Sequence, residues 1–201
     1  MTRSYSRIFR TAAAAVLVLS PVVFSASCGK AMLKQGDGAS YLIVDALQAA
    51  PGATPSELSS MLASDVVTVK GGVTTVFADP GQVQMHVAIK DTTTGVTPTD
   101  VNSITLTGYH VDYVRSDGGT GVPPSFDGSL TSTVTSSTTT VPFILVNAQA
   151  KGVAPLVGLV NSLNHVVVVA HVTFVGHDQT GHSVTVEANI TIDFADWLDA
   201  A

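Results

Sequence analysis

A chain of 201 residues with nine Lys or Arg against fifteen Asp or Glu carries a formal net charge of −6. That balance excludes the basic footprint nucleic acid requires and makes acidic membrane surfaces poor partners. A single cysteine excludes a disulfide framework, and aromatics at 6% are too few for the girdles of a membrane-embedded β-barrel.

Residues 1–27 read as a secretory signal peptide. Arg3, Arg7 and Arg10 form a basic head, and "TAAAAVLVLSPVVFSA", 11 to 26, is apolar or small. Ser20 and Pro21 interrupt that run, which falls short of the roughly 20 apolar residues a membrane span needs. Ser25, Ala26 and Ser27 supply small side chains immediately before Cys28. A lone cysteine in that place resembles the bacterial lipobox, with Ser25 standing where Leu is usual. The resemblance implies acyl chains (a diacylglycerol on the Cys28 thiol, palmitate-like) and cleavage before Cys28. It also implies a membrane partner reached through the N-terminal lipid. Each buried methylene contributes about 0.8 kcal/mol, and two or more chains anchor a protein stably. Gly29, where an Asp would signal inner-membrane retention in some bacteria, favours the outer membrane. The alternative is plain secretion after cleavage at the same bond.

Without residues 1–27 the chain retains 174 residues, with six basic against fifteen acidic side chains and a net charge of −9. That length suits one domain. Residues 28–39, small, polar and Gly-rich after the cysteine, read as a flexible tether, and 40–201 as the folded domain. Abundant Thr and Val favour strands, and the predominance of Asp over Glu favours turns over helices.

In chain order, "SYLIVDALQAA", 40 to 50, reads as a first strand. "TPSELSSML", 54 to 62, carries a helix-start signature, with Thr54 as cap, Pro55 at the first helical position and Glu57 reaching back. One or two helical turns are expected there. "GVTTVFA", 72 to 78, and "QVQMHVAIK", 82 to 90, read as strands joined by a "DPG" turn. "SITLTGYHVDYVR", 103 to 115, places Ile104 and Leu106 on even positions but Tyr109, Val111 and Tyr113 on odd ones. The phase flips at Gly108, as a β-bulge would make it. "SFDGSLTSTVT" alternates with Phe126, Leu130 and Val134 inward. "VPFILVNAQAK", 141 to 151, is apolar enough for a central strand, and "APLVGLVNSLN", 154 to 164, has the spacing of a short crossover helix. The final pair is the most regular. Val184, Val186, Ala188, Ile190, Ile192 and Phe194 occupy every even position of an arm that follows "HVVVVAHVTFVG" across the turn "HDQTG". The fold class expected is all-β, an antiparallel immunoglobulin-like β-sandwich of about seven to nine strands with one or two short helices.

Candidate chemistry is sparse. His171, His177 and His182 gather with Asp178 around the last hairpin, but a metal site needs three or four converging ligands and only two are evident. His86 and His110 fall on polar faces and read as solvated. His165 and His171 share one strand face about 20 Å apart. The Asp-rich loops "SDGGTG" and "HDQTG" are turn formers first and weak calcium sites second. No G-x-S-x-G elbow is present. Trp197, near the chain end, reads as a lid on the core, with sugar stacking as its functional alternative.

The succession "SYLIVDALQAA", "SDVVT", "GYHVDYVRSDG" and "VTFVGHDQTG…NITIDFADW" resembles a group of uncharacterised bacterial envelope lipoproteins. The resemblance implies an all-β fold and no activity. The expectation is a lipid-anchored cell-envelope protein displaying a non-catalytic sandwich for binding or structural support, without cofactor. Its ligand would be a protein or a glycan. Two other readings stand beside it. One is a secreted metal-dependent enzyme or module, which requires His171, His177, His182 and Asp178 to converge. The other is a strand-exchanging subunit of a surface fibre, which requires an unpaired N-terminal strand or an open hydrophobic groove.

Overall fold

Ten strands and one short helix organise the computed structural model, which describes residues 36–91, 95 and 97–197. The expected signal peptide and Cys28 lie outside those residues. The strands are β1 (Ser40–Ala49), β2 (Met61–Asp65), β3 (Thr68–Lys70), β4 (Val73–Thr75), β5 (Asp79–Ile89), β6 (Ile104–Arg115), β7 (Phe126–Val134), β8 (Thr139–Val146), β9 (Val166–Asp178) and β10 (Ser183–Ala195). The helix α1 spans Ala148–Lys151. β1–β5–β8 form one sheet, β2–β10–β9–β6–β7 a second, and β3–β4 a separate ribbon.

This is the strand order of an immunoglobulin-like sandwich. β1, β5 and β8 take the A, B and E places, and β2, β10, β9, β6 and β7 take A′, G, F, C and C′. The edge strand is split between the sheets, so β2 lies beside the last strand. Its pairing with β10 is parallel, the one departure from the antiparallel pattern expected. Eight strands make the two sheets, within the expected range, and the ribbon adds two.

Period-2 patterning builds the core. On β10 the even residues Val184 to Phe194 are buried, as their alternation requires. On β6 the register shifts between Leu106 and Gly108 against both neighbours. Leu106, Tyr109 and Val111 are therefore all buried in spite of the phase change. An antibody domain fills this region with a disulfide and a tryptophan. Here aromatic rings bridge the sheets. Phe143 of β8 packs 5.2 Å from Tyr109 at 69° and 5.2 Å from Phe174 at 88°. Buried tyrosines need partners for their hydroxyls, and both find them on β8. The Ile144 N–H donates to the Tyr109 hydroxyl at 3.2 Å, and the Tyr113 hydroxyl donates to the Leu145 carbonyl at 2.7 Å. The Leu145 carbonyl needs that partner because the β5–β8 register shifts there.

Four local expectations are corrected. Residues 54–62 hold one turn, with the Glu57 N–H on the Thr54 carbonyl at 3.0 Å, and no helix. Ser59 instead exchanges both backbone bonds with Ala49, and β2 then pairs with β10. A single helical turn fixes several residues for few hydrogen bonds, so its extension yields to those ladder bonds. The "DPG" turn is the start of β5, with Asp79 buried. "VPFILVNAQAK" is an edge strand, as Pro142 permits, followed by α1 with Asn147 as its cap. Residues 154–164 reduce to a 3₁₀ turn over Leu156–Leu159 that buries those two leucines. At the other end of the chain, residues 36–39 belong to the stretch read as a tether, yet they lie on the domain. Lys90 Nζ donates to the Gly36 carbonyl, and Gly38 is so close to Asp178 that an added Cβ would stand 2.4 Å from the carboxylate.

Candidate functional site

The site starts from a charge where none belongs. Asp79 and Lys151 are 0% and 2% exposed, and such groups persist in a protein interior only when paired and hydrogen-bonded. Lys151 Nζ lies 2.8 Å from Asp79 Oδ1 and 2.7 Å from the Asp65 carbonyl. Asp79 also accepts from the Ser64 hydroxyl at 2.6 Å and from the Gly52 N–H at 2.9 Å. Burial pushes the Asp79 carboxyl above the usual range, against the opposing pull of Lys151 and these donors. The cluster ties β5, α1, β2 and the loop after β1 to one point. Only glycine fits at 52, because a Cβ there would stand 2.3 Å from the Ala78 carbonyl oxygen.

Outside that knot opens a cleft of about 1110 Å³. Pro51, Ala53, Thr54 and Glu57 form one wall, and Ala63 and Asp65 of β2 its floor. Asp65 is the fastener. Its Oδ2 accepts from the Thr68 hydroxyl at 2.7 Å and its Oδ1 from the Trp197 backbone N–H at 3.2 Å. Trp197 lines the cleft with the His165 ring edge-on at 5.1 Å. Among the described residues its Nε1 is the one enclosed side-chain nitrogen or oxygen without a hydrogen-bond partner. The expected lid on the core is thus part of the cleft wall.

The opposite wall is the β3–β4 ribbon. Gly71 and Gly72, at φ +58° and +77°, make the tight two-residue turn that positive φ at both central positions allows. Pairing sets Thr68 opposite Thr75 and Lys70 opposite Val73, so these four share a face, and all four line the cleft. Both strands are exposed apart from half-buried Thr68. Phe77, just after the ribbon, adds an aromatic ring to the wall.

The histidines fall elsewhere. His182 sits beside Asp178, with Nδ1 3.4 Å from Oδ2, and also contacts the Thr180 hydroxyl at 2.6 Å. His171 lies opposite Asn189 on the exposed face of β9, and His177 lies opposite Ser183 at the strand end. Among the described residues no three His, Cys, Asp or Glu are grouped to hold a metal ion. Asp178 builds its turn by accepting from the Thr180 N–H, the Thr180 hydroxyl and the His182 N–H at 2.9, 2.7 and 2.9 Å. Burial raises its pKa, but these donors outweigh that and hold the carboxyl below the usual range. Asp117 does similar work in "SDGGTG", accepting from Arg115 Nε at 2.7 Å and the Gly119 N–H at 2.9 Å. The N-terminal strand β1 is paired to β5 from Ser40 to Ala49.

His86 and His110 are on polar faces but not merely solvated. His86 Nδ1 lies 2.9 Å from Asp45, and His110 bridges Asp127 at 2.7 Å and Asp112 at 3.0 Å. The Asp127 hydrogen bond chiefly raises the His110 pKa. Folding therefore favours protonated His110. Its small stabilisation is complete below the unfolded pKa and disappears as pH rises through the folded one. Asp127→Asn is expected to lower the His110 pKa in an imidazole NMR titration; an unchanged value would discount the bridge.

Compared with known proteins, the chain matches no protein-family model, no curated protein and no solved structure.

Proposed function

We propose that this protein is a lipid-anchored envelope protein whose sandwich displays a non-catalytic binding site. The observation that carries the binding reading is the cleft. Its loop wall and β2 floor come from separate parts of the chain and are tied to one buried ion cluster, and the Asp65 carboxylate joins Thr68 of the ribbon and the Trp197 backbone to that floor, a partial preorganisation for a ligand. Its groups suit holding better than transforming. The Asp65 carboxylate is committed to Thr68 and Trp197, and among the described residues the other charged groups of the lining are Glu57 and Lys70 on opposite walls.

The anchor reading rests on the basic head, the apolar run and the small residues before Cys28. Mass spectrometry of the mature N-terminus tests it. The expected product begins at Cys28, carries acyl chains and sediments with membranes, whereas Cys28→Ala releases the domain. A wild-type protein that is unacylated and freely soluble overturns the anchor.

A further inference from the structure

We infer that the cleft binds a neutral oligosaccharide. The inference rests on the binding reading above and adds the chemistry of the ligand. A volume of about 1110 Å³ stands at the upper end of the roughly 300–1,000 Å³ of ordinary small-molecule sites and leaves room for more than one sugar ring.

The lining is mixed in a particular way. Phe77 and Trp197 offer rings, and Val73 offers aliphatic surface. Among them stand the hydroxyls of Thr54 and Thr75, with Glu57 on one wall and Lys70 on the other. A sugar ring has the matching character, an apolar C–H face rimmed by hydroxyls that both donate and accept. Such a ligand can rest on rings and meet hydroxyl, carboxylate and ammonium groups in turn.

Other classes fit less well. A phosphate-bearing polyanion calls for clustered Arg or Lys, and among the described residues the one cation of the lining is Lys70, in the company of Glu57 and Asp65. An acyl chain would bury those charges and hydroxyls against hydrocarbon at a cost. A peptide docking by strand addition needs an unpaired strand edge. Each ribbon strand leaves one edge without a strand partner among the described residues, but the ribbon meets the cleft with a side-chain face, Thr68, Lys70, Val73 and Thr75 in a block, and not with that edge. A lone two-stranded ribbon is marginally stable in water. A ligand under that face would supply the packing the ribbon lacks.

Trp197 is the only tryptophan in the chain, so its emission reports this cleft alone. The test titrates the detergent-solubilised mature lipoprotein with cellohexaose, chitohexaose, mannohexaose, heparin, dodecanoate and an unrelated apolar decapeptide. The expected result is a saturable emission change with at least one neutral hexasaccharide and none with the other three. Phe77→Ala is expected to weaken that binding about tenfold or more with an unchanged melting temperature. Should Phe77→Ala disturb folding, Thr75→Val on the same wall takes its place. A response only to dodecanoate, decapeptide or heparin overturns the sugar assignment and leaves the binding reading standing. No response to any probe, with no slowing of hydrogen exchange in the ribbon amides, overturns both.

Discussion

Replacing Lys151 with Met is expected to destabilise the protein by about 3–5 kcal/mol at neutral pH, because it strands the Asp79 carboxylate in the interior. The amine now meets the buried Asp79 carboxylate and the part-buried Asp65 carbonyl. Without it only Ser64 and the Gly52 N–H face the charge. The loss depends on pH with a definite sign. Burial already raises the Asp79 pKa above its unfolded value, so the folded state takes up the proton first. Stability tied to this group is greatest in acid and falls as pH climbs from the unfolded value through the folded one. Removing Lys151 raises the folded value further, so the variant should recover part of its deficit in mildly acidic buffer. Urea unfolding at both pH values measures this. The double variant Lys151→Met with Asp79→Asn is expected to recover part of the loss, since a neutral side chain of similar volume replaces the stranded carboxylate and keeps an acceptor for Ser64 and the Gly52 N–H. A single-variant loss under about 1 kcal/mol, the value of an ordinary hydrogen bond, would show that water reaches the pair.

Phe174→Ala is expected to cost about 3–5 kcal/mol, the range for emptying a large aromatic side chain from a core. Phe174 is fully buried and lies between the sheets, against Phe143 at 5.2 Å and Tyr109 at 6.2 Å. Neither neighbour is free to collapse into the space. Tyr109 is held by the Ile144 N–H, and Phe143 covers Gly81 so closely that a Cβ there would stand 2.6 Å from its ring. Val175→Ala, one residue along and on the outer face, provides the contrast, with an expected change within about 1 kcal/mol. Chemical denaturation of both variants measures the difference. Equal losses would mean that the rings do not carry the sheet-to-sheet contact.

Where one strand face alone decided the outcome, the sequence was legible. The even residues of β10 and the phase flip at Gly108 are local signals, and local geometry honours them. The errors share a different cause. "DPG" has the composition of a turn, but Asp79 has its partner 72 residues away in Lys151, and nothing near either residue announces the other. The capping signature at Thr54 was real as far as one turn, and a backbone bridge between Ala49 and Ser59 then took the chain elsewhere. For β8 a sign was available, because Pro142 is rarely compatible with a central strand. The cleft was the least visible feature. Trp197 stood out by rarity, but Asp65, Lys70 and Phe77 belong to no motif. They become a site only when a ribbon, a loop and the end of the last strand are brought together.

The tyrosine contacts on β8 have a consequence for life at high density. An edge strand normally offers a row of free N–H groups on which another chain can zip. Pro142 has no N–H to offer, and two residues on, with the same orientation, the Ile144 N–H is already held by Tyr109. Tyr113 occupies the Leu145 carbonyl. The hem of the smaller sheet is thus stitched from inside its own domain. Neighbouring molecules that met at this edge would find those backbone groups already taken.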